Sequence, residues 1–151
     1  GVALDRNTAR ISVIGLKDEP GIAFKLFNLL AKDNINVDVI LQSIGRENSK
    51  DISFTVSRDD ADNAVKILEE NMSRIGGKSI SCRRDVAKVS IVGAGMMSNP
   101  GVAAKMFEAL YNNNINISMI STSEIRVTVL IDERDAERAV NAVHDAFGLE
   151  E

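Results

Sequence analysis

DNINVDVI (residues 33–40) returns as NNINISMI (residues 113–120), and the Pro20-Gly21 pair ahead of the first copy returns as Pro100-Gly101 ahead of the second. Both repeats lie 80 residues apart, so two stretches of one chain share a plan and not merely a composition. Working outward from the first copy, ARISVIG (9–15) is alternating and β-branched, the pattern of a strand. LKDEPG then leads into a helix with Pro20 suited to its first position. Ile22, Ala23, Leu26, Phe27, Leu29 and Leu30 keep helical spacing and face a core. INVDVILQS (35–43) reads as the next strand, with Ile35, Val37, Val39 and Leu41 on one face. GRENSK is a polar hairpin loop, and DISFTVS (51–57) is the returning strand. Ser57-x-x-Asp60 has the form of a capping box for a second helix, whose apolar side is Ala61, Ala64, Val65, Leu68 and Met72. Gly76-Gly77 closes that helix, SISCRRD supplies a fourth strand, and the order is βαββαβ.

The second copy follows without a linker. AKVSIVG (87–93) is its strand, AGMMSNPG its loop, and Val102, Met106, Ala109 and Leu110 the buried side of its helix. INISMIST and IRVTVLI form a hairpin, and Asp132-x-x-Asp135 caps a last helix carrying Ala136, Ala139, Val140, Val143 and Phe147. This unit reads βαββα and lacks a closing strand. GVALD at the start of the chain can supply it, because an uncovered sheet edge invites aggregation. The expected fold class is therefore α+β: two ferredoxin-like βαββαβ units, 9–85 and 1–6 plus 86–151, the second completed by the N-terminal strand. Each unit would be marginal alone, and a shared strand ties them together.

Composition excludes several classes. A net charge of −4 and a pI near 5.1 argue against a nucleic-acid or anionic-membrane surface. One cysteine, Cys82, and one histidine, His144, leave no disulfide framework and no usual zinc set. No membrane-length apolar run or signal peptide is present, which fits a cytoplasmic protein, and a chain opening at Gly1 fits a piece of something longer. GAGMMS resembles the start of a dinucleotide fingerprint, but Ser98 stands at the last glycine and 116–121 carries no acid. RNA-binding domains of the same strand order stack bases on sheet aromatics, and here the middle strands offer only Phe54. No nucleophile–base pair and no phosphate-binding kinase element is evident, so catalytic and metal residues are expected to be none in this chain.

The duplicated phrase also suggests chemistry. A helix N-terminus following a strand presents unpaired N–H groups that suit a carboxylate. Gly21 and Gly101 lack the Cβ that would block approach, and Asn36 and Asn116 open edge strands whose backbone could grip a small zwitterion. Asp18 would complement an α-ammonium group. The expected pocket lies where one unit's loop meets the other's strand. Pro-Gly is equally an ordinary helix start, Asp18 a partner of the helix dipole, and Asn-Ile-Asn a turn before a strand. The second loop is two residues longer and carries Ser98-Asn99 in place of Asp18-Glu19, with Asn99 suited to an N-cap, so the two pockets need not hold one ligand.

VSIVGAGMMSNPGVAAKMFEAL, NINISMISTSEIRVTVLI and AVHDAFGL resemble the C-terminal regulatory part of aspartate kinases, a pair of ACT domains; LDRNTARISVIGLKDEPG and NINVDVILQS match the first ACT unit. The resemblance covers essentially the whole chain and extends to the separate small β subunit that some members make. It implies feedback control: end-product amino acids, threonine and/or lysine, bind the ACT pair and shut down the kinase at the entry to aspartate-family synthesis. It also implies one effector pocket on Asp18, Gly21, Ile22, Ala23, Ile35, Asn36, Val37 and Gln42, with Asn116 and Ile117 from the other unit. A pseudo-equivalent pocket falls on Val102, Ala103, Ser123 and Glu124. Helix N–H groups would take the carboxylate, Asp18 or strand carbonyls the ammonium, and Gln42 a side-chain hydroxyl. The expected partners are the effector, an aspartate kinase catalytic domain or α subunit, and a second copy in a homodimer, with no nucleic acid and no membrane. A stand-alone ACT tandem sensing amino acids for another enzyme is the alternative.

Overall fold

The computed structural model describes residues 1–93 and 101–148. The chain divides into two compact units, residues 7–84 and residues 1–6 with 85–151. The first contains β2 (Ala9–Lys17), α1 (Ile22–Lys32), β3 (Ile40–Ile44), β4 (Ser49–Val56), α2 (Arg58–Glu70), the short α3 (Met72–Ile75) and β5 (Ser79–Arg83). Its strands form one antiparallel sheet in the order β3-β4-β2-β5. Helices cover one face, where Ile11, Val13, Leu26, Leu30, Ile52, Phe54, Ala64 and Leu68 make a dry core. Phe27 meets Phe54 edge-to-face, 5.5 Å between ring centroids.

The other unit repeats this with β6 (Val86–Val92), α4 (Val102–Asn112), β7 (Met119–Thr122), β8 (Arg126–Asp132) and α5 (Ala136–Phe147). Its sheet order is β1-β6-β8-β7, where β1 (Val2–Asp5) pairs antiparallel with β6, Val2 opposite Ile91 and Asp5 opposite Lys88. The N-terminal strand thus fills the place of the missing fourth strand, as the apolar GVALD predicts. Val89, Met106, Leu110, Val127, Val129, Ala139 and Val143 form the core. One hydroxyl pair marks the duplication: Ser12 to Ser53 in the first unit and Ser90 to Thr128 in the other, both at 2.8 Å.

The repeated Asn-Ile-Asn has a structural cause. Asn34 and Asn114 both sit at φ 58°, one residue past the C-caps Asp33 and Asn113. The next N–H, of Ile35 or Ile115, reaches back to the carbonyl of Leu30 or Leu110. That is a Schellman close, in which asparagine tolerates the left-handed turn and the isoleucine folds back onto the helix. Ile35 and Ile115 are each only 5% exposed.

Several expectations are corrected. Pro20 does not open α1: the helix starts at Ile22, and Gly21 precedes it at φ 90°, which no residue inside the helix adopts. The strand expected over 35–43 joins its ladder only at Ile40. Opposite Thr55 the chain makes a bulge-like step, with Asp38 N–H donating to the Thr55 carbonyl and Val39 N–H to the Thr55 hydroxyl. The step shifts the alternation by one residue. Ile35 and Val37 pack on the helix-side core, but beyond it Ile40 and Gln42 lie opposite Phe54 and Ile52, and Leu41 is 41% exposed. Likewise β7 begins at Met119 and not at Ile115.

Ser57 precedes α2 as expected but makes no side-chain cap; Asn7 Oδ1 instead accepts the Arg58 N–H at 3.0 Å. Met72 belongs to the separate α3, which Gly76 ends at φ 73°. Asp132 caps a 3-10 turn over Glu133–Asp135, from which α5 continues. Val102, expected inside, is half-buried. The AGMMSNP loop with Ser98 and the suggested Asn99 cap lies outside the described residues.

Candidate functional site

The two helix tips have one geometry. Gly21 and Gly101 stand at φ 90° and 98°, a region that penalises any Cβ, and an added Cβ would meet nothing within 4 Å at either position. The left-handed backbone, and not crowding by a described residue, is thus the reason for glycine. The first helical bonds are Lys25 N–H to the Gly21 carbonyl, 2.9 Å, and Lys105 N–H to the Gly101 carbonyl, 2.8 Å. Neither helix has an acidic residue in its first turn. Among the described residues no side chain accepts from the amides of residues 22–24 or 102–104, the orphan donors of a helix start.

In the first unit, Ile22 and Ile35 have their side chains in the core, so only their backbone could meet a ligand. Ala23 and Val37 are half-buried; Asn36 and Gln42 are exposed. The backbone groups of Asn36 and Val37 make no hydrogen bond to any described residue, because the chain there has left α1 and not yet joined the sheet. In the other unit, Asn116 and Ile117 repeat that unpaired stretch, ending where Ser118 N–H bonds the Leu130 carbonyl at 2.8 Å. Val102 and Ala103 form the half-buried start of α4, and Ser123 and Glu124 lie exposed in the β7–β8 turn, closed by Ser123 N–H to the Arg126 carbonyl at 2.8 Å.

Asp18 has partners that its sequence gave no sign of. Its carboxylate is already paired with the Lys50 ammonium at 3.7 Å, and its N–H donates to the Asn48 carbonyl at 2.6 Å. Sequence reading missed Lys50, since a lysine beside a polar hairpin gives no sign of burial. The period-2 pattern held a clue: Lys50 shares its phase with Ile52, Phe54 and Val56, the core-facing residues of β4.

A cavity of about 520 Å³ is lined by Arg6, Asp85, Asp132, Glu133, Arg134 and Glu137, whose charges offset one another through Arg6–Glu137 at 3.8 Å and Arg134–Asp132 at 3.5 Å. Burial pushes the Cys82 thiol above its ordinary value, with Arg84 opposing and Asp62 adding to the shift. Burial, and then the charge of Arg83, lowers Arg10. Among the described residues no group of His, Cys, Asp and Glu is arranged to hold a metal, and no helix is long and apolar enough to cross a membrane.

Two antiparallel βαββαβ modules in tandem define a duplicated ferredoxin-like α+β fold, and the ACT domain model matches residues 11–72 and 89–147. An aspartokinase of Thermus thermophilus is 49% identical over 152 residues, 99% of this chain and 37% of the relative; that of Pseudomonas aeruginosa is 46% identical over 150, 99% and 36%. The chain thus spans little more than a third of these relatives. A crystal structure of aspartokinase alpha and beta subunits superposes with a TM-score of 0.92 at 48% identity, covering 98% of this chain and 97% of that one. The ligand-free regulatory subunit of aspartate kinase from Thermus thermophilus gives 0.91 at 48%, with 97% of each chain covered. The chain belongs to the ACT-domain family, as a regulatory region of aspartate kinase.

Proposed function

We propose that the chain binds an end-product amino acid, threonine and/or lysine, and transmits its presence as feedback inhibition to an aspartate kinase catalytic domain or α subunit. The observation that carries the reading is the paired helix tips. Gly21 and Gly101 hold the same left-handed backbone beside open space, each ahead of amides that no described side chain accepts. Such a tip favours a carboxylate through its N–H groups and dipole. The unpaired backbone at Asn36 and Val37, and at Asn116 and Ile117, offers carbonyls to an α-ammonium. Gln42, exposed on the edge strand β3, supplies donor and acceptor for a side-chain hydroxyl. The kinase partner is supported by the likeness to a structure of aspartokinase alpha and beta subunits. A homodimer is supported by the open edge strand β3, where Ile40 and Ile44 are exposed. A coupling of about 1–3 kcal/mol between effector and activity is enough for such control. Calorimetric titration of the chain with threonine and lysine, separately and together, tests it: binding below millimolar is expected for at least one, and binding of neither would refute the effector assignment.

A further inference from the structure

Lys50 is a buried cation for which the proposed site has no use. It is 6% exposed, lies on β4 opposite Leu16 and Ile44, and among the described residues its ion pair is with Asp18 at 3.7 Å. The hairpin grips Asp18 twice, because Asn48 takes its backbone N–H and Lys50 its carboxylate. The grip exists because β2 does not stop at Gly15. A bulge places Ile14 and Gly15 against Asp51, with Gly15 at φ 75° and its N–H on Asp51 Oδ1 at 2.9 Å. After the bulge, Leu16 and Lys17 resume pairing with Lys50 and Ser49.

Among its described residues the other unit shows no such device. Ile40 opposite Phe54 corresponds to Ile120 opposite Val129, so the β7–β8 hairpin is five residues shorter and Ile125 stands where Lys50 would be. There Gly93 N–H bonds the Ile125 carbonyl at 3.0 Å, and β6 ends at Val92. The loop leading to the first tip is therefore tied to a buried cation, and the matching hairpin position in the other unit is the neutral Ile125.

We propose that Lys50 sets the charge class of ligand at the first unit's helix tip: by holding Asp18 it withdraws that carboxylate from an incoming side-chain ammonium, and the site selects amino acids with uncharged side chains. This rests on the effector reading above. Both candidate ligands carry the same α-amino and α-carboxylate groups, which cancel in a comparison, so discrimination falls on the side chain. A lysine ammonium would approach a carboxylate already paired with a like charge and find its complement occupied. Glu19, exposed beside Asp18, is common to every variant compared.

The test is competitive calorimetry of threonine and lysine on the 151-residue chain, wild type against Lys50→Met, Lys50→Arg and Asp18→Asn. The wild type should prefer threonine. Lys50→Met, which keeps an unbranched stem and frees Asp18, should shift the preference about tenfold towards lysine, and Lys50→Arg should not. Asp18→Asn leaves Lys50 uncompensated and should shift the preference about tenfold further from lysine. That arm decides the matter even if Lys50→Met fails to fold. A wild type that prefers lysine, an unchanged ratio in Lys50→Met, or an equal loss of both ligands in Asp18→Asn would overturn the proposal. If the wild type binds neither amino acid, the effector reading falls first and this falls with it.

Discussion

Replacing Gly21 by alanine separates what the backbone requires from what a ligand requires. At φ 90° an L-residue pays roughly 1–2 kcal/mol for the left-handed conformation. Part of this is offset, because alanine loses less entropy on folding than glycine, worth roughly 0.4–1 kcal/mol. The added methyl meets nothing within 4 Å, so no steric cost is added and a net loss of about 1 kcal/mol is expected. Three other glycines calibrate the figure. Gly101→Ala, at φ 98° and equally open, should match it. Gly15→Ala combines φ 75° with a methyl only 2.8 Å from Lys78 Cγ and Cδ and should cost more. Gly93→Ala, without a left-handed φ and with open space, should be neutral or slightly stabilising. Urea unfolding with unchanged m-values measures the series. Repeating it with threonine at saturating concentration reads ligand linkage, worth about 2.7 kcal/mol at a hundredfold excess over Kd. Gly21→Ala should lose stability without ligand and lose part of that linkage as well. If Gly21→Ala behaves like Gly93→Ala in both measurements, the argument from the helix tips is wrong.

Asn7→Ala should cost about 0.5–2 kcal/mol, since Asn7 caps α2, whereas Ser57→Ala should cost less despite its N-cap position; thermal unfolding of the two variants compares them. Phe54→Ala removes a fully buried ring packed edge-to-face with Phe27 and should cost about 3–5 kcal/mol, visible as a collapse of the urea midpoint. Because burial raises the Cys82 pKa, its thiolate fraction at pH 8 is below that of a free cysteine. Its reaction with a disulfide reagent should therefore be slow and still rising through pH 9, and Asp62→Asn should quicken it by removing a neighbouring negative charge.

What the sequence made legible was whatever a local period or a single backbone requirement controls. Apolar residues at helical spacing located α1, α2, α4 and α5, and Leu26, Leu30, Leu68, Met106 and Leu110 are indeed dry. The missing strand was legible because sheet edges need covering and GVALD had no other partner. What failed was phase and partnership. Ile35 to Leu41 alternates without interruption in sequence, yet the step at Asp38 and Val39 depends on Thr55, a residue on another strand. Ser57 carries the pattern of a cap, but Asn7, 50 residues earlier, takes the work. The same limit applies at the site: Asp18 looked free because its partner Lys50 is distant in sequence and looked solvated.

The two copies agree wherever geometry admits few residues and diverge in the lengths of one loop and one hairpin. The left-handed glycine before each first helix, the left-handed asparagine after it, the isoleucine that follows and the buried hydroxyl pair are kept in both, and each answers a constraint of backbone or packing. Length is not kept: the first loop is two residues shorter and its hairpin five residues longer. In the first unit the longer hairpin holds Asp18 through Asn48 and Lys50. A buried cation is costly to place and is retained only when its charge is used or compensated. Drift in a solvated hairpin would have no reason to bury one. In the first unit Asp18 supplies that compensation, and on the proposed reading the asymmetry follows from two modules that keep one way of holding an amino acid's common groups and differ in how they treat its side chain.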